Sequence, residues 1–273
     1  SILGVNCLSF STINLFFLER VLNMKKITFQ NIFTRGHVIV ENACYRQIHY
    51  PEMLMRYDSN FIEFKRMPTV ETFKEVEDYL REYHLKHGQN HLKFYFPENQ
   101  QPTEEIQNYL IQNGYSQGFL ELYGIKPQSF PLIEMNPAIS IQTVTKETLA
   151  ILQQLKYQND LAFGREFADK KANLIKKIVD EPNVQQLLAF YEGQAVGYVD
   201  LILSKDTVEI DELSVSESYQ KKGVGSHLQR FAMDHYPDKM IILVADGEDT
   251  PREMYQKQQY HYFGFQYEVL KEC

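Results

Sequence analysis

Apolar positions in the second half of the chain follow strand and helix periods in turn, which predicts a mixed α/β fold. Strand patterns occur at residues 139–144, 185–191, 195–203, 208–215 and 239–245. Helical spacing occurs at residues 146–157, 166–179, 224–236 and 249–260. Glu192-Gly193 predicts a hairpin between two of the strands. The predicted order is strand, two helices, hairpin, strand, helix, strand, helix and a last strand.

The first half alternates in a similar way. It predicts strands at residues 61–64, 91–96 and 119–125 and helices at 70–85 and 104–111. Residues 127–137 contain three prolines, which suit neither a helix interior nor a central strand, so this segment is a predicted linker. The predicted division is an extension at 1–23, a first domain at 24–130 and a second domain at 131–273.

Composition narrows the class of protein. With 44% hydrophobic and 23% charged residues, the chain is expected to be a soluble globular protein. The net charge of −8 argues against a nucleic-acid partner and suits a cationic substrate. The apolar run Leu15–Leu18 is much shorter than the roughly 18 residues of a membrane span, so no membrane partner is expected. Met24-Lys-Lys-Ile27 is typical of a translation start, which favours residues 1–23 as an upstream extension.

The cysteines indicate a reducing compartment. Cys7, Cys44 and Cys273 are scattered, odd in number and lack the C-x-x-C spacing. Neither a disulfide framework nor a zinc site is therefore expected, and the predicted location is cytoplasmic.

Gln220-Lys-Lys-Gly-Val-Gly225, between a predicted strand and a predicted helix, has the features of a phosphate-binding turn. Gly223 and Gly225 allow the backbone to approach a ligand closely. The free N–H groups at a helix start attract anions, and Lys221 and Lys222 add positive charge. The segment therefore predicts a pyrophosphate site.

The spacing Q-x-x-G-x-G, in the order strand, turn and helix, resembles the acetyl-CoA motif of the GNAT N-acetyltransferases. The dinucleotide fingerprint G-x-G-x-x-G fits poorly, because Leu228 stands where its third glycine belongs. The order of elements over residues 138–273 is similar to the GNAT fold, a mixed central β-sheet flanked by helices. In the first half, helix 104–111 leads into Asn113-Gly-Tyr115, which resembles the ending of that fold. We therefore expect two tandem GNAT-like domains, the first degenerate and without a cofactor motif.

The resemblance implies acetyl-CoA as co-substrate and assigns residues to it. The turn would hold the pyrophosphate through Gln220, Lys221, Lys222, Gly223, Val224, Gly225 and Ser226. The main chain of Leu213, Ser214 and Val215 would pair with the pantetheine arm. No metal is implied.

Amide formation requires a neutral amine, whereas an alkyl ammonium has a pKa of about 10.4, so a base is needed. The family uses a strand carboxylate for this step. Here Glu209, Asp211 and Glu212 crowd one strand, and alternation predicts that Asp211 and Glu212 face opposite sides. We favour Glu212 as the base, with Asp211 as the alternative.

Tyr255 is the candidate acid for the departing thiolate, since a phenol with a pKa of about 10 is protonated at neutral pH. Residues 249–260 resemble the family's helix ending in Leu-Tyr-x-x-x-Gly-Phe, with Met254-Tyr255 at Leu-Tyr and the glycine missing. A second register uses Phe263-Gly-Phe265 and makes Tyr260 the acid, but Pro251 near the helix start favours the first.

Two histidines compete for the acid or base role. His227 and His235 lie in the helix after the turn, and both are expected to be helix-surface residues.

These features predict direct acetyl transfer to a primary amine of a small molecule or peptide. No cysteine or serine lies in a recognisable nucleophile motif, so an acyl-enzyme is not expected. The competing hypothesis is a non-catalytic acyl-CoA-binding sensor, because the glycine before Tyr260 is missing.

Overall fold

Eleven strands pair into one continuous mixed sheet in the computed structural model, which describes residues 27–248 and 251–272. The predicted extension at 1–23, Met24, Cys7 and Cys273 lie outside the described residues. The strands are β1 (His37–Glu41), β2 (Tyr45–His49), β3 (Phe61–Phe64), β4 (His91–Tyr95), β5 (Ser116–Ile125), β6 (Ile139–Thr143), β7 (Val184–Tyr191), β8 (Gln194–Leu203), β9 (Thr207–Val215), β10 (Met240–Asp246) and β11 (His261–Glu272). The α-helices are α1 (Val70–Lys86), α2 (Glu104–Gln112), α3 (Leu149–Asp160), α4 (Arg165–Ile178), α5 (Val224–His235) and α6 (Pro251–Lys257).

The two halves exchange one strand each at the centre of the sheet. The strand order is β1-β2-β3-β4-β11-β5-β10-β9-β8-β7-β6. The last strand of the chain, β11, pairs with β4 and β5 of the first half, and β5 pairs with β10 of the second half. The parallel pairs β3–β4 and β9–β10 lie on either side of the central pair β11–β5. The sheet thus runs through the predicted boundary at residue 130, and each half completes the other.

Helices and loops cover the two faces of the sheet differently. The β9 residues Val208 and Ile210 pack with Leu228 and Ala232 of α5 on the first face. Helices α1 and α2 cover the same face beside β3, β4 and β11. Helices α3 and α4 pack on the opposite face, as do residues 27–32. Because side chains alternate along a strand, Glu209 and Asp211 point to this opposite face.

The predicted order of elements is confirmed, with three differences. The hairpin β1–β2 was not predicted, because buried polar residues such as Gln47 and His49 obscure its alternation. Helix α6 ends at Lys257 rather than at residue 260. The linker is not free, since Phe130 is buried in the core and the Arg230 guanidinium donates to its carbonyl oxygen at 3.2 Å.

Candidate active site

The site forms where β9 and β10 separate. Their parallel pairing joins Thr207–Glu209 to Met240–Ile242 and, within the described residues, does not continue beyond Glu209. Residues 210–215 therefore leave their main chain unpaired on the side of β10, while β8 pairs with the other edge. An extended ligand with amide groups can pair with this free edge.

A cavity of about 760 Å³ opens in this gap. It is lined by nine of the ten predicted cofactor-binding residues, namely Leu213, Ser214, Val215, Gln220, Lys221, Gly223, Val224, Gly225 and Ser226. The three candidate catalytic residues, Asp211, Glu212 and Tyr255, line it as well. Lys222 is the exception: its ammonium lies over the rings of Tyr219 and Tyr191, 4.8 and 5.4 Å from their centroids.

The two glycines of the turn fit a cradle for an anion. Gly223 precedes α5 with a φ of 89°, a left-handed conformation that glycine adopts without strain. Gly225 lies within the helix, outside that conformation, and a Cβ there would approach no protein atom closer than 3.9 Å. The packing of the protein therefore does not require glycine at position 225.

Gly225→Ala is expected to change stability and ligand binding in opposite directions. Alanine restricts the unfolded chain and should stabilise the fold by up to about 1 kcal/mol. The same methyl group should weaken acetyl-CoA binding, because it fills space that faces the cavity. Thermal unfolding and titration calorimetry on the free protein measure the two effects. Unchanged affinity would show that no ligand approaches Gly225 closely.

The structure separates the two candidate tyrosines. Tyr255 is half-buried in α6, lines the cavity and packs against Tyr123 and Tyr260. Burial raises the pKa of its phenol, which therefore keeps its proton at neutral pH. Tyr260 is buried in the core, and its hydroxyl donates to Gln229 Oε1 at 2.8 Å. This placement favours Tyr255 over Tyr260 as a donor into the cavity.

A β-bulge overturns the prediction that Asp211 and Glu212 face opposite sides. The register between β8 and β9 shifts between Tyr198 and Asp200, and Glu212 has a positive φ of 49°. The extra residue interrupts the alternation. Asp211 and Glu212 consequently line the same cavity.

Glu212 belongs to an ion-pair network that the sequence did not reveal. Its carboxylate lies 2.8 Å from Lys156 Nζ and 2.9 Å from Lys171 Nζ, and Lys156 also contacts Asp200 at 2.7 Å. Burial alone would raise the pKa of Glu212, but the two ammonium groups outweigh it and hold that pKa below its usual range. A carboxylate stabilised in this way is a weak base, which favours Asp211. One feature of the sequence could have indicated this network. Lys156 comes four residues after the core residue Leu152, so it lies on the same buried face of α3 and needs a charged partner there.

Two carboxyl groups in the gap have raised pKa values. Burial, together with the charges of Glu212 and Asp200, raises the pKa of Asp211 to about 6. Burial raises the pKa of Glu209 to about 8, although its Oε2 accepts a hydrogen bond from the Phe33 N–H at 2.7 Å. Groups with such pKa values exchange protons readily near neutral pH.

The two histidines differ in their environment. His227 is 6% exposed, and its Nδ1 lies 2.9 Å from the Gly223 carbonyl oxygen. The prediction of a surface residue is therefore wrong for His227, which stabilises the turn. His235 is exposed and stacks on Phe231.

The first half also contributes to the site. A cavity of about 930 Å³ lies between the halves. It shares Asp211, Glu212, Leu213 and Ser214 with the cavity lined by the predicted cofactor-binding residues, called the cofactor cavity below. A smaller cavity of about 300 Å³, against residues 29–35, shares Glu209 and Asp211 with it. Asp211 is thus common to all three cavities. Arg56, from the first half, lines both of these additional cavities.

Comparison with known proteins agrees with this geometry. Residues 152–260 match the Acetyltransferase (GNAT) family. Residues 152–260 belong to the GNAT family. Residues 27–123 match a different family, a domain of unknown function termed DUF5613. No curated protein matches the chain.

Solved structures are similar to both halves of the chain. A functionally unknown conserved protein from Staphylococcus epidermidis is 33% identical, with a TM-score of 0.80 over 91% of this chain and 99% of that one. A GCN5-related N-acetyltransferase from Kribbella flavida shares the fold at 10% identity, with a TM-score of 0.58 over 87% of this chain and 90% of that one. A tandem GNAT protein from the clavulanic acid biosynthesis pathway has a TM-score of 0.51 at 9% identity, over 78% of this chain and 75% of that one. The predicted tandem GNAT fold is thereby confirmed.

The described residues show neither a membrane-spanning helix nor a cluster of metal-ligating side chains. None of their helices is both long and apolar enough to span a membrane. Their histidine, cysteine and acidic side chains form no cluster of three with the geometry of a metal site.

Proposed function

We propose that this protein transfers the acetyl group of acetyl-CoA directly to a primary amine of a small molecule or peptide. The observation that carries the proposal is the single cavity that joins the phosphate-binding turn to Asp211 and Tyr255. Membership of the GNAT family supports acyl transfer from acyl-CoA in general. The cytoplasm is the proposed location, because the scattered cysteines suit a reducing compartment.

In the proposed reaction the amine nitrogen attacks the thioester carbonyl carbon, so that a C–N bond forms and the C–S bond breaks. The ammonium proton passes to Asp211, which lines both the cofactor cavity and the cavity between the halves. Tyr255 donates its proton to the departing sulfur, and the second proton that the nitrogen loses as the amide forms restores the phenol. Glu212 remains paired with its two lysines and fixes the strand edge beside the reacting groups.

A thiol-release assay with acetyl-CoA and a panel of amines tests the proposal. We expect amine-dependent release of free CoA, with an acetylated amine detected by mass spectrometry. Acetyl-CoA binding without release for any amine would reject catalysis and favour the acyl-CoA sensor. Absence of acetyl-CoA binding would reject both functions.

Asp211→Asn is expected to lower activity and raise stability together. The variant loses the proposed base, and kcat/KM should fall by about 10²- to 10⁴-fold. In the wild type, kcat/KM should rise with pH through the raised pKa of Asp211, and this step should vanish in the variant. A carboxyl group whose pKa is higher in the folded than in the unfolded protein destabilises the fold once it is ionised. Asp211 is ionised at neutral pH, so its replacement by asparagine should raise the Tm.

Glu209→Gln is the matched control for this variant. Glu209 has a raised pKa but does not line the cavity between the halves. We expect a higher Tm in Glu209→Gln as well, with a smaller loss of activity than in Asp211→Asn. The opposite order of activity losses would assign the base to Glu209.

A further inference from the structure

The cavity between the halves carries a strong excess of negative charge. It is lined by six carboxylates, Asp58, Asp160, Asp211, Glu212, Glu268 and Glu272, and by three cations, Arg56, Lys93 and Lys171. Since it opens directly onto the cofactor cavity, it is the space from which an acceptor reaches the acetyl group.

On the wall next to the cofactor cavity, cations pair with some of the carboxylates but not with all of them. Lys171 contacts both Glu212 and Asp160 at 2.9 Å, and Arg56 lies 3.8 Å from Glu212. No ion pair joins Asp211 to a cation among the described residues. Asp160 is only 4% exposed, yet its Oδ2 has no hydrogen-bond partner within that part of the chain. Because Asp211 lines this cavity and is half-buried, its carboxylate can accept hydrogen bonds from an incoming ammonium group.

A second group of carboxylates lies on the opposite wall. Lys93 Nζ contacts Glu268 at 2.8 Å and Asp58 at 3.5 Å, so one cation serves two anions. Glu272 accepts a hydrogen bond from the Tyr57 hydroxyl at 3.2 Å and has no cationic partner within the described residues. This wall therefore keeps negative charge as well.

The two walls lie on different strands of the sheet. Glu268 and Glu272 lie on β11 and Asp211 lies on β9, with β5 and β10 between them in the strand order. Between them the lining includes the aromatic rings of Tyr57, Phe163, Phe167 and Tyr198. Such rings pack against methylene groups and attract cations on their faces.

Resting on the proposed acetyl transfer, we infer that the acceptor is a linear aliphatic polyamine. Its reacting amine lies at Asp211, and a distal ammonium group lies among Asp58, Glu268 and Glu272. Asp58 of the first half and Glu268 and Glu272 of β11, which pairs with strands of the first half, thus supply the part of the site that recognises the second charge. The excess negative charge disfavours anionic acceptors.

The probes are spermidine and butylamine, which share an aminobutyl end but differ in the distal charges. We expect kcat/KM for spermidine to exceed that for butylamine by at least about tenfold at low salt, and the ratio to fall as salt is added. Equal values for the two amines, or a clear preference for a lysine-containing peptide over spermidine, would overturn the inference.

The double variant Asp58→Asn/Glu272→Gln tests the distal wall. Both side chains are exposed, so the fold should remain intact. We expect KM for spermidine to rise about tenfold with little change in kcat, and both constants for butylamine to stay unchanged. Glu82→Gln, an exposed substitution on α1 that removes one negative charge away from the cavity, is the surface-charge control and should leave KM and kcat unchanged for both amines. An unchanged KM for spermidine in the double variant would reject the distal site.

Calorimetry keeps this inference separable from the proposed function. Spermidine and butylamine are titrated into the full-length protein without acetyl-CoA. If no amine is acetylated but spermidine binds more tightly than butylamine, and the double variant loses this difference, the transfer reaction is rejected and polyamine recognition stands. If amines are acetylated without any preference for spermidine, the transfer stands and polyamine recognition is rejected.

Discussion

Tyr255→Phe is expected to slow the chemical step by about 10²- to 10⁴-fold, the usual contribution of a positioned acid. The substitution keeps the aromatic ring and its packing against Tyr123 and Tyr260. Acetyl-CoA affinity should stay close to that of the wild type, because the phenol acts mainly when sulfur gains charge. Single-turnover kinetics measure the chemical step, and calorimetry measures the affinity.

Tyr260→Phe is the matched control, and it should have the opposite effects. It removes a buried hydroxyl that donates to Gln229 and leaves that acceptor unpaired. We expect a loss of about 1 kcal/mol in unfolding free energy, with little change in the chemical step. Full activity in Tyr255→Phe together with an inactive Tyr260→Phe would assign the acid to Tyr260.

Gly223→Glu is expected to abolish acetyl-CoA binding. The new carboxylate would lie at the start of α5, where we propose that backbone N–H groups meet the pyrophosphate. Calorimetry on the folded variant measures the effect. Unchanged affinity would reject the assignment of the turn as the cofactor site.

Gly223→Gln separates charge from backbone strain. Both substitutions place a side chain of the same length on a residue with a φ of 89°, so both incur the same conformational cost. A Cβ at this position meets His227 at 3.7 Å, an ordinary contact. We expect weakened but measurable binding for glutamine and none for glutamate. Equal losses in the two variants would indicate that strain, rather than charge, disrupts the site.

The sequence by itself determined most of the local structure and the position of the glycine turn before α5. Local signals suffice for both, because strand and helix periods depend on neighbouring residues and a glycine turn before a helix creates its own anion site. The predicted strand Phe61–Phe64 and the hairpin at Glu192-Gly193 are therefore found in the structure. Proline near a helix start likewise placed Tyr255 in α6.

Only the tertiary structure decided the pairing of the two halves and the surroundings of the carboxylates. The exchange of β5 and β11 depends on contacts between residues more than 100 positions apart, which no local pattern encodes. The bulge at Glu212 reversed the predicted facing, because one extra residue shifts a period of two. The preference between Asp211 and Glu212 depends on Lys156 and Lys171, whose ammonium groups reach the strand only after α3 and α4 pack on the sheet. Charge interactions depend on distance in space, and that distance is set by the fold.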